Sequence, residues 1–310
     1  MAKRDPVQRR PWATPERVAR SVRAAHAFGE RFPLPGQAAA PAPRPALTCY
    51  LAAGKPKSSR LCLALAAGAG GRSIAAVLAS SLLPGPAGFY GVHEDTLALW
   101  REAVASGRDW YFIDNAYFDS VRGVRFRLTK NALQASGREG RPDWARFARL
   151  KLAIRPWRKG GRHVLVCPQS DWYLRTVCGW PGGADGWQRD VLLRLRAATD
   201  RPIVVRPWLR DKGLAAGTLQ RDLETAHALV THSSAAANEA LAAGIPVFVT
   251  GACAAQALAS GPLEAIERPA YPEGREPWAA RLAGQQWGID ELENGTAWRA
   301  LHAADAEHRG

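Results

Sequence analysis

The sequence lacks the features that would attach it to a membrane or direct it out of the cytoplasm. None of its apolar runs approaches the length of a membrane span. Its N-terminal segment, MAKRDPVQRR, lacks the apolar core of a signal peptide. Its five cysteines are widely spaced and fit neither a disulfide framework nor a zinc pattern. These absences predict a cytoplasmic protein with reduced thiols and no membrane span.

Several widespread catalytic motifs are also absent. The sequence contains no His-x-His or HExxH pattern and no cluster of carboxylates, so we expect no metal site. The GxSxG and P-loop motifs are missing as well. Their absence argues against a hydrolase or a kinase that is built on those motifs.

Positive charge, in contrast, is abundant and unevenly distributed. The formal net charge is +14, and residues 1–46 carry nine Lys and Arg against three Asp and Glu. Residues 121–162, which we call the basic band, carry thirteen against two, and the rest of the chain is slightly acidic. This concentration predicts a polyanionic partner. The alternative is a soluble surface in an arginine-rich protein.

Apolar runs alternate with helical patterns along the first half of the chain. Strands are predicted at 47–51, 61–66, 88–92 and 110–113, with a helix at 94–106. The glycine-rich segment at 68–73 lacks the full dinucleotide-binding fingerprint. We therefore expect a tight turn there, which leads from a strand into a helix ending at 81. The start of the basic band alternates apolar and basic residues, which predicts an exposed strand at 124–129.

The second half shows the same alternation more clearly. Strands are predicted at 163–167, 202–205, 229–230 and 245–249, with helices at 185–198, 218–225 and 235–243. Late helices are predicted at 277–282 and 290–302. Continuous apolar strands that alternate with helices are typical of parallel sheets covered on both faces. We therefore predict a basic tail and linker at 1–46, followed by two Rossmann-like α/β domains at 47–157 and 158–310.

A pair of serines precedes the alanine-rich helix in the segment THSSAAANEALAAGIPVFVTG, residues 231–251. The hydroxyl of Ser233 or Ser234 can cap that helix, and the helix dipole and free N–H groups favour an anion there. Glu239 follows within about one and a half turns, within reach of a sugar hydroxyl. The alternative is an ordinary capped βαβ unit without a ligand.

This segment resembles the donor-binding motif in the C-terminal domain of GT-B glycosyltransferases, especially bacterial capsule and surface-sugar enzymes. The matching residues are Ser233, Ser234, Glu239, Ala240, Leu241, Gly244, Pro246 and Val247. The resemblance implies a GT-B arrangement in which the parallel sheets of the two domains face a cleft. It also implies a nucleotide-sugar co-substrate, with a UDP-sugar favoured, that is held without a metal and without a tightly bound cofactor.

Polar residues follow three of the predicted strands in the second domain. Ligands of open parallel sheets bind beyond the carboxyl ends of the strands. The donor-site candidates are Gln169, Ser170, Arg206, Lys212, Ser233, Ser234 and Glu239. Arg206 is the strongest candidate, because a guanidinium pairs with two phosphate oxygens at once. Its alternative is a surface arginine at a strand end, and Gln169 and Ser170 could equally form a structural turn.

Two residues of the first domain are candidates for a catalytic base. Asp114 follows the apolar strand at 110–113, where a carboxylate could take a proton from an acceptor hydroxyl. Its alternative is a helix cap or turn former. His93 follows the strand at 88–92 and is the second candidate, although a lone histidine is more often structural.

The runs DNAYF, RFRLTKNALQ, PWRKGG and VLVCPQSD resemble an uncharacterised family of proteins from tailed phages and prophages. Phages glycosylate hydroxymethylated pyrimidines in their own DNA, so this resemblance and the basic band predict a DNA glycosyltransferase. The cations expected on phosphates are Arg122, Arg125, Arg127, Lys130, Arg158 and Lys159. Two alternatives stay open: a transferase for a surface or lipid-linked glycan, and a non-catalytic nucleic-acid-binding protein. The sequence specifies no oligomeric state.

Overall fold

The computed structural model describes residues 46–118, 123–206 and 218–307. The chain divides into two compact units. The first unit extends to Asp114 and adds Leu128–Ala132 and the segment from Trp287 onward, while the second comprises Asn115–Arg127 and Leu133–Gln286. The domain boundary predicted near 157 does not coincide with this division. The basic tail predicted at 1–46 lies, except for its last residue, outside the described residues.

The described residues contain ten strands and nine α-helices. The strands are β1 (Thr48–Leu51), β2 (Arg72–Ala75), β3 (Ala87–Tyr90), β4 (Trp110–Asn115), β5 (Phe126–Lys130), β6 (His163–Cys167), β7 (Ile203–Val205), β8 (Ala226–Thr231), β9 (Val247–Val249) and β10 (Gln286–Trp287). The helices are α1 (Pro56–Gly68), α2 (Leu97–Ala105), α3 (Trp144–Leu150), α4 (Gly183–Ala198), α5 (Leu219–Leu223), α6 (Ala236–Ala242), α7 (Arg275–Gly284), α8 (Ile289–Glu293) and α9 (Thr296–Glu307). Within the described ranges, no helix is both long enough and apolar enough to cross a bilayer.

The first sheet has the strand order β10-β5-β4-β3-β1-β2. Strand β1 pairs in parallel with β2 and with β3, and β3 pairs in parallel with β4. The predicted α/β class with parallel pairing is therefore confirmed for the strands β1 to β4 of this sheet. Strands β5 and β10 contain the residues at which the chain passes from one unit to the other.

Two predictions in the first half are wrong. Residues 61–66 form part of helix α1, and the strand β2 occupies Arg72–Ala75, where a turn and a helix were expected. A short apolar run such as LCLALA cannot be assigned by periodicity alone, because a buried helix and a buried strand share that pattern. Helix α1 begins with Pro56 in its first turn and buries Leu61, Cys62 and Leu65 on one face.

Strand β5 corrects a third prediction. A strand was expected near 124–129, but an exposed one, whereas Phe126, Arg127, Leu128 and Thr129 are all buried. The strand lies between β4 and β10 in the sheet order, so it is not an edge strand. Its second residue, Arg127, is 7% exposed and is therefore directed into the protein instead of toward solvent.

The C-terminal helices belong to the first unit, although the sequence placed them in the second domain. The ring of Trp298 on α9 packs against Tyr111 of β4, with ring centroids 4.5 Å apart. The Tyr111 hydroxyl lies 3.1 Å from Nε2 of His302. Helix α8 packs against α1. These contacts explain why α8 and α9 contribute to the core of the first unit, whereas α7 belongs to the second.

The second sheet has the strand order β7-β6-β8-β9, and all of its pairs are parallel. Leu165 and Leu229 join an apolar cluster on one face, with Leu241 of α6. Val166 and Val230 join a cluster on the opposite face, with the fully buried Trp187 of α4. The sheet is thus covered on both faces, as its continuous apolar strands predicted.

Gly244 ends the helix of the serine motif, as the sequence predicted. Its φ is +79°, a left-handed conformation that L side chains rarely adopt. A β-carbon at this position would also lie 2.0 Å from the carbonyl oxygen of Pro156. Both constraints require glycine, so the chain can turn from α6 directly into β9.

Candidate functional site

The carboxyl ends of three neighbouring strands of the second sheet lie at one edge. Strand β6 pairs in parallel with β7 on one side and with β8 on the other. Gln169 and Ser170 follow β6, Arg206 follows β7, and the serine pair follows β8. The structure therefore brings these predicted donor-site residues to the same edge, which we call the strand-end edge of the second unit. Lys212 lies outside the described residues.

Ser233 connects the loops that follow β6 and β8. Its side chain is buried, with 1% of the residue exposed. Its Oγ accepts a hydrogen bond from Nε2 of Gln169 at 3.1 Å and lies 3.1 Å from Nδ1 of His232. The Tyr173 side chain also bonds to it, and Nε2 of Gln134 donates to the Ser233 carbonyl at 2.9 Å. Ser233 is thus placed to position its neighbours, with little surface available to a ligand.

His232 is packed by two aromatic rings that the sequence analysis did not select. Its ring meets Trp180 edge-on at 5.8 Å and Tyr173 at 6.3 Å. A β-carbon on Gly251 would lie 2.2 Å from Cε1 of His232, so only glycine fits at that position. Burial lowers the pKa of His232, which favours the neutral imidazole. The sequence signal that could have indicated this packing is the glycine two residues beyond β9.

The other two serines accept hydrogen bonds from nearby backbone N–H groups. Oγ of Ser234 accepts the N–H of Ala236, the first residue of α6, at 3.3 Å, but Ala235 occupies the N-cap position and no side chain caps the helix there. Oγ of Ser170 accepts the N–H of Tyr173 at 3.2 Å, which fits the structural-turn alternative. Helix α6 comprises only seven residues. Its dipole is short, so cationic side chains at this edge have to provide most of the attraction for an anion.

Charged side chains lie beside one another at the end of β7. The backbone N–H of Arg206 donates to Val166 O at 2.8 Å, which ties this residue to β6. Nη1 of Arg206 pairs with Oδ2 of Asp222, and Nε2 of Gln220 donates to Oε2 of Glu239 at 2.9 Å. The sequence analysis did not select Asp222 or Gln220 as site residues, although both lie on helix α5.

Burial raises the pKa of Glu239, and the bond from Gln220 and the charge of Arg206 offset part of that rise. A guanidinium and a carboxylate are thus held close together at a strand end. The guanidinium can pair with phosphate oxygens, and the carboxylate can accept hydrogen bonds from hydroxyls. Together they provide the two kinds of contact that a nucleotide-sugar requires.

Neither a nucleophilic thiol nor a metal cluster is found in the part of the chain that the structure describes. Cys167 ends β6, but burial raises its pKa to about 12, so the thiol is not ionised at neutral pH. Among the described residues, no group of three His, Cys, Asp or Glu side chains could hold a metal ion.

The two candidate bases lie at the strand-end edge of the first sheet. Strands β3 and β4 are neighbours, and the N–H of Gly91 donates to Ile113 O at 3.0 Å, directly before Asp114. Asp114 is half-buried and interacts electrostatically with Lys57 in the first turn of α1. The ring of His93 packs on Tyr90, with centroids 6.3 Å apart. The structure therefore brings both candidates to one edge of this unit.

Three of the six cations that were expected on phosphates make internal contacts instead. Arg127 is 7% exposed and donates from Nη1 to Asn115 O at 2.7 Å. Nζ of Lys130 pairs with Asp109 at 3.1 Å, and Nη1 of Arg158 donates to Leu223 O at 2.6 Å. The prediction that Arg127 meets a ligand is not supported, because its guanidinium is buried against backbone carbonyls. Arg125 is half-buried, Lys159 is exposed, and Arg122 lies outside the described residues.

Comparisons with known proteins identify no family for the chain. No protein-family model matches it, and no curated protein matches it in sequence. Solved structures that are similar to it include Thermosulfurimonas dismutans KpsC, beta Kdo 2,7 transferase (13% identity, 83% of this chain and 99% of that chain, TM-score 0.46) and Thermosulfurimonas dismutans KpsC, beta Kdo 2,4 transferase (12% identity, 77% and 91%, TM-score 0.44). The resemblance to phage proteins stays a prediction.

The half-buried carboxylate of Glu239 predicts a pH-dependent stability. Because its pKa in the folded protein lies above its ordinary value of 4.5, folding disfavours the ionised form. This contribution to stability is therefore favourable in acid and is lost as the pH rises through the folded pKa. We expect Glu239→Gln to melt at a higher temperature than the wild type at neutral pH. The difference in melting temperature should disappear when the pH falls below the ordinary glutamate pKa of 4.5.

Glu264→Gln provides a control of opposite sign, measured in the same series of thermal melts. Its ion pair with Arg194 holds the pKa of Glu264 below the usual range, and the side chain is exposed. This variant should lose a little stability at neutral pH, and the loss should disappear in acid. If Glu239→Gln melts at a lower temperature than the wild type at neutral pH, the expectation is wrong. The hydrogen bonds to the carboxylate would then stabilise the fold by more than the burial of its charge costs.

Proposed function

We propose that this chain is a glycosyltransferase that binds a nucleotide-sugar at the strand-end edge of the second unit. The observation that carries the proposal is the placement of Arg206 and Glu239 at that edge, beside the loops that Ser233 joins. Ligands of open parallel sheets bind beyond the carboxyl ends of the strands. The resemblance of the serine motif to GT-B donor sites supports the same assignment.

The residues of this edge have distinct roles in the proposal. The guanidinium of Arg206 pairs with oxygens of the phosphate that leaves, and its contact with Asp222 fixes its orientation. The Glu239 carboxylate accepts hydrogen bonds from a sugar hydroxyl, and Gln220 orients it. The Gln169–Ser233–His232 contacts hold the surrounding loops in one arrangement. None of these roles requires a metal ion.

The proposed reaction is a substitution at the anomeric carbon of the sugar. A bond forms between the acceptor oxygen and that carbon, and the bond from carbon to the nucleotide phosphate breaks with its electron pair. The proton of the acceptor hydroxyl goes to a base, for which Asp114 is the candidate, with His93 second. The strand-end edge of the first unit, where both residues lie, is the proposed acceptor side.

We propose that the acceptor is a glycan and not a base in DNA. Arg127, Lys130 and Arg158 make internal contacts and have their charges directed to backbone carbonyls or to Asp109. A DNA-binding surface depends on cations that can reach phosphates and release their counterions. The charge count of the basic band therefore overstates the number of positive charges that a polyanion could contact. A glycan acceptor needs no basic surface of this kind.

The donor site is tested by replacing Arg206. Arg206→Ala is expected to weaken binding of the preferred nucleoside diphosphate at least about tenfold, because it removes a charge-assisted hydrogen bond. Arg206→Lys keeps the charge without the planar fork and should have an intermediate affinity. The measurement is calorimetric titration with a panel of nucleoside diphosphates.

Arg194→Ala is the matched control for this series. Arg194 lies on α4 of the same unit and pairs with Glu264 on the surface. Its removal should leave nucleotide affinity unchanged. Wild-type affinity in both Arg206 variants would show that the donor site lies elsewhere.

The proposed base is tested through turnover. Asp114→Asn should retain donor affinity and lower the rate of nucleotide release with acceptor roughly 10²-fold, the usual scale for losing acid–base assistance. Asp109→Asn, which changes an exposed carboxylate of the same unit, is the control and should stay active. Full activity of Asp114→Asn would rule this residue out, and His93→Gln would then be measured.

The same assay decides the acceptor class. Nucleotide release is expected to depend on added oligosaccharide and not on duplex DNA that contains hydroxymethylated pyrimidines. Release that requires the DNA would overturn the glycan assignment and restore the DNA-modifying enzyme.

A further inference from the structure

The later part of the basic band, residues 144–162, has a composition that the packing of the fold does not explain. We call it the cationic segment. It carries seven Lys and Arg and no Asp, Glu, His, Ser, Thr, Asn or Gln, and every other residue in it is apolar, glycine or proline. The surface of a soluble domain usually carries charges of both signs side by side. The cationic segment therefore stands out as a candidate interaction surface.

The cationic segment has a packed side and an exposed side. The apolar residues that pack against a core cluster of the second unit are Phe147, Leu150, Leu152, Ile154 and Trp157. From 150 to 155, half-buried apolar residues alternate with exposed ones, as they do in an extended chain that lies on a core. The exposed cations are Arg149, Lys151, Arg155, Lys159 and Arg162.

Backbone hydrogen bonds hold the later part of the segment along the edge where the strands of the second sheet begin. The N–H of Arg158 donates to Gly244 O at 2.8 Å, shortly before β9. The N–H of Arg162 donates to Thr225 O at 2.7 Å, directly before β8. This edge is opposite to the strand-end edge of the same sheet. The charge of these residues therefore does not serve the proposed donor site.

Trp144 adds a large aromatic surface to the exposed side. It is the first residue of α3, and 52% of it is exposed. Its ring meets that of Phe147 edge-on, with centroids 6.0 Å apart. Ala145, Ala148 and Arg149 are exposed on the same helix, which packs against α7 on its other side. An indole, small apolar residues and cations thus share one exposed surface.

We propose that the exposed side of the cationic segment docks on a bilayer that contains anionic lipids. Lipid phosphates attract lysine and arginine through charge, and indole rings favour the level of the headgroups. A nucleic-acid surface also uses hydroxyl and amide side chains to contact phosphates and base edges, and the cationic segment has neither. The composition therefore favours a lipid surface. This inference is independent of the proposed donor site, which lies at the opposite edge of the sheet.

The test is co-sedimentation of the full chain with vesicles of phosphatidylcholine alone and with vesicles in which about a third of the lipid is phosphatidylglycerol. The wild type should bind only the anionic vesicles, and more weakly as salt is added. Each cation removed should weaken this binding about fivefold, so Arg149→Gln/Arg155→Gln should bind roughly 25-fold more weakly. Trp144→Ala should weaken it severalfold, at high salt as well, because the indole contributes through apolar contact.

Arg189→Gln/Arg221→Gln is the matched control, because it removes two exposed arginines from α4 and α5 of the same unit. Its vesicle affinity should equal that of the wild type. The basic tail at 1–46 is the same in all of these proteins, so a difference between the two double variants reports on the cationic segment.

Two results with vesicles would overturn the proposal: no binding of the wild type to the anionic vesicles at low salt, or equal binding by Arg149→Gln/Arg155→Gln and the wild type. A third result concerns duplex DNA. If the wild type binds duplex DNA more tightly than the anionic vesicles, and Arg149→Gln/Arg155→Gln loses that affinity, the surface belongs to a nucleic acid and the lipid proposal is wrong.

Discussion

The buried hydroxyl of Ser233 is the contact on which the strand-end edge of the second unit depends. A buried hydroxyl without partners would cost stability, and here Gln169, His232 and Tyr173 satisfy it. These partners come from the loops after β6 and β8, so a single oxygen fixes two loops against each other. Because such a network is strengthened as a whole, the loss of one member should loosen the others. The residues that we propose as donor ligands on these loops are therefore held in place without a ligand.

The charges beside this network follow from a different constraint. Folding disfavours the ionised form of Glu239, because burial raises its pKa, yet the carboxylate lies at the strand-end edge of the second unit, where the donor site is proposed. Ionisable groups whose environment works against their charge cluster at functional sites. Gln220 and Arg206 reduce the penalty without removing it. A stability optimum alone would favour an uncharged residue at this position, and this supports the proposed contact of the carboxylate with a sugar hydroxyl.

The sequence predicted the second unit well and the first unit less well, for physical reasons. Strands β6 and β8 are continuous apolar runs that end in proline or serine turns, and Gly244 marks the end of α6 unambiguously. The run at 61–66 is too short for its period to separate helix from strand. The membership of α9 in the first unit could not be read from the sequence either, since it depends on the distant contact between Tyr111 and Trp298.

Charge was the least informative sequence signal. A count of residues shows that the basic band is strongly positive, but it cannot show that the guanidinium of Arg127 lies inside the protein. Conversely, Asp222 and Gln220 carry no motif, and only the structure places them against Arg206 and Glu239. The strand-end rule located the edge, while the assignment of each side chain required its contacts.

The most direct test of the central claim is amide hydrogen exchange of the full chain with and without the nucleoside diphosphate that binds best. If the strand-end edge of the second unit holds the donor, exchange should slow at residues 168–174 and 231–237, where the two loops joined by Ser233 lie. Exchange elsewhere in the second sheet should change little, because those strands are already buried. Protection confined to other segments, with no change in these two loops, would contradict the account.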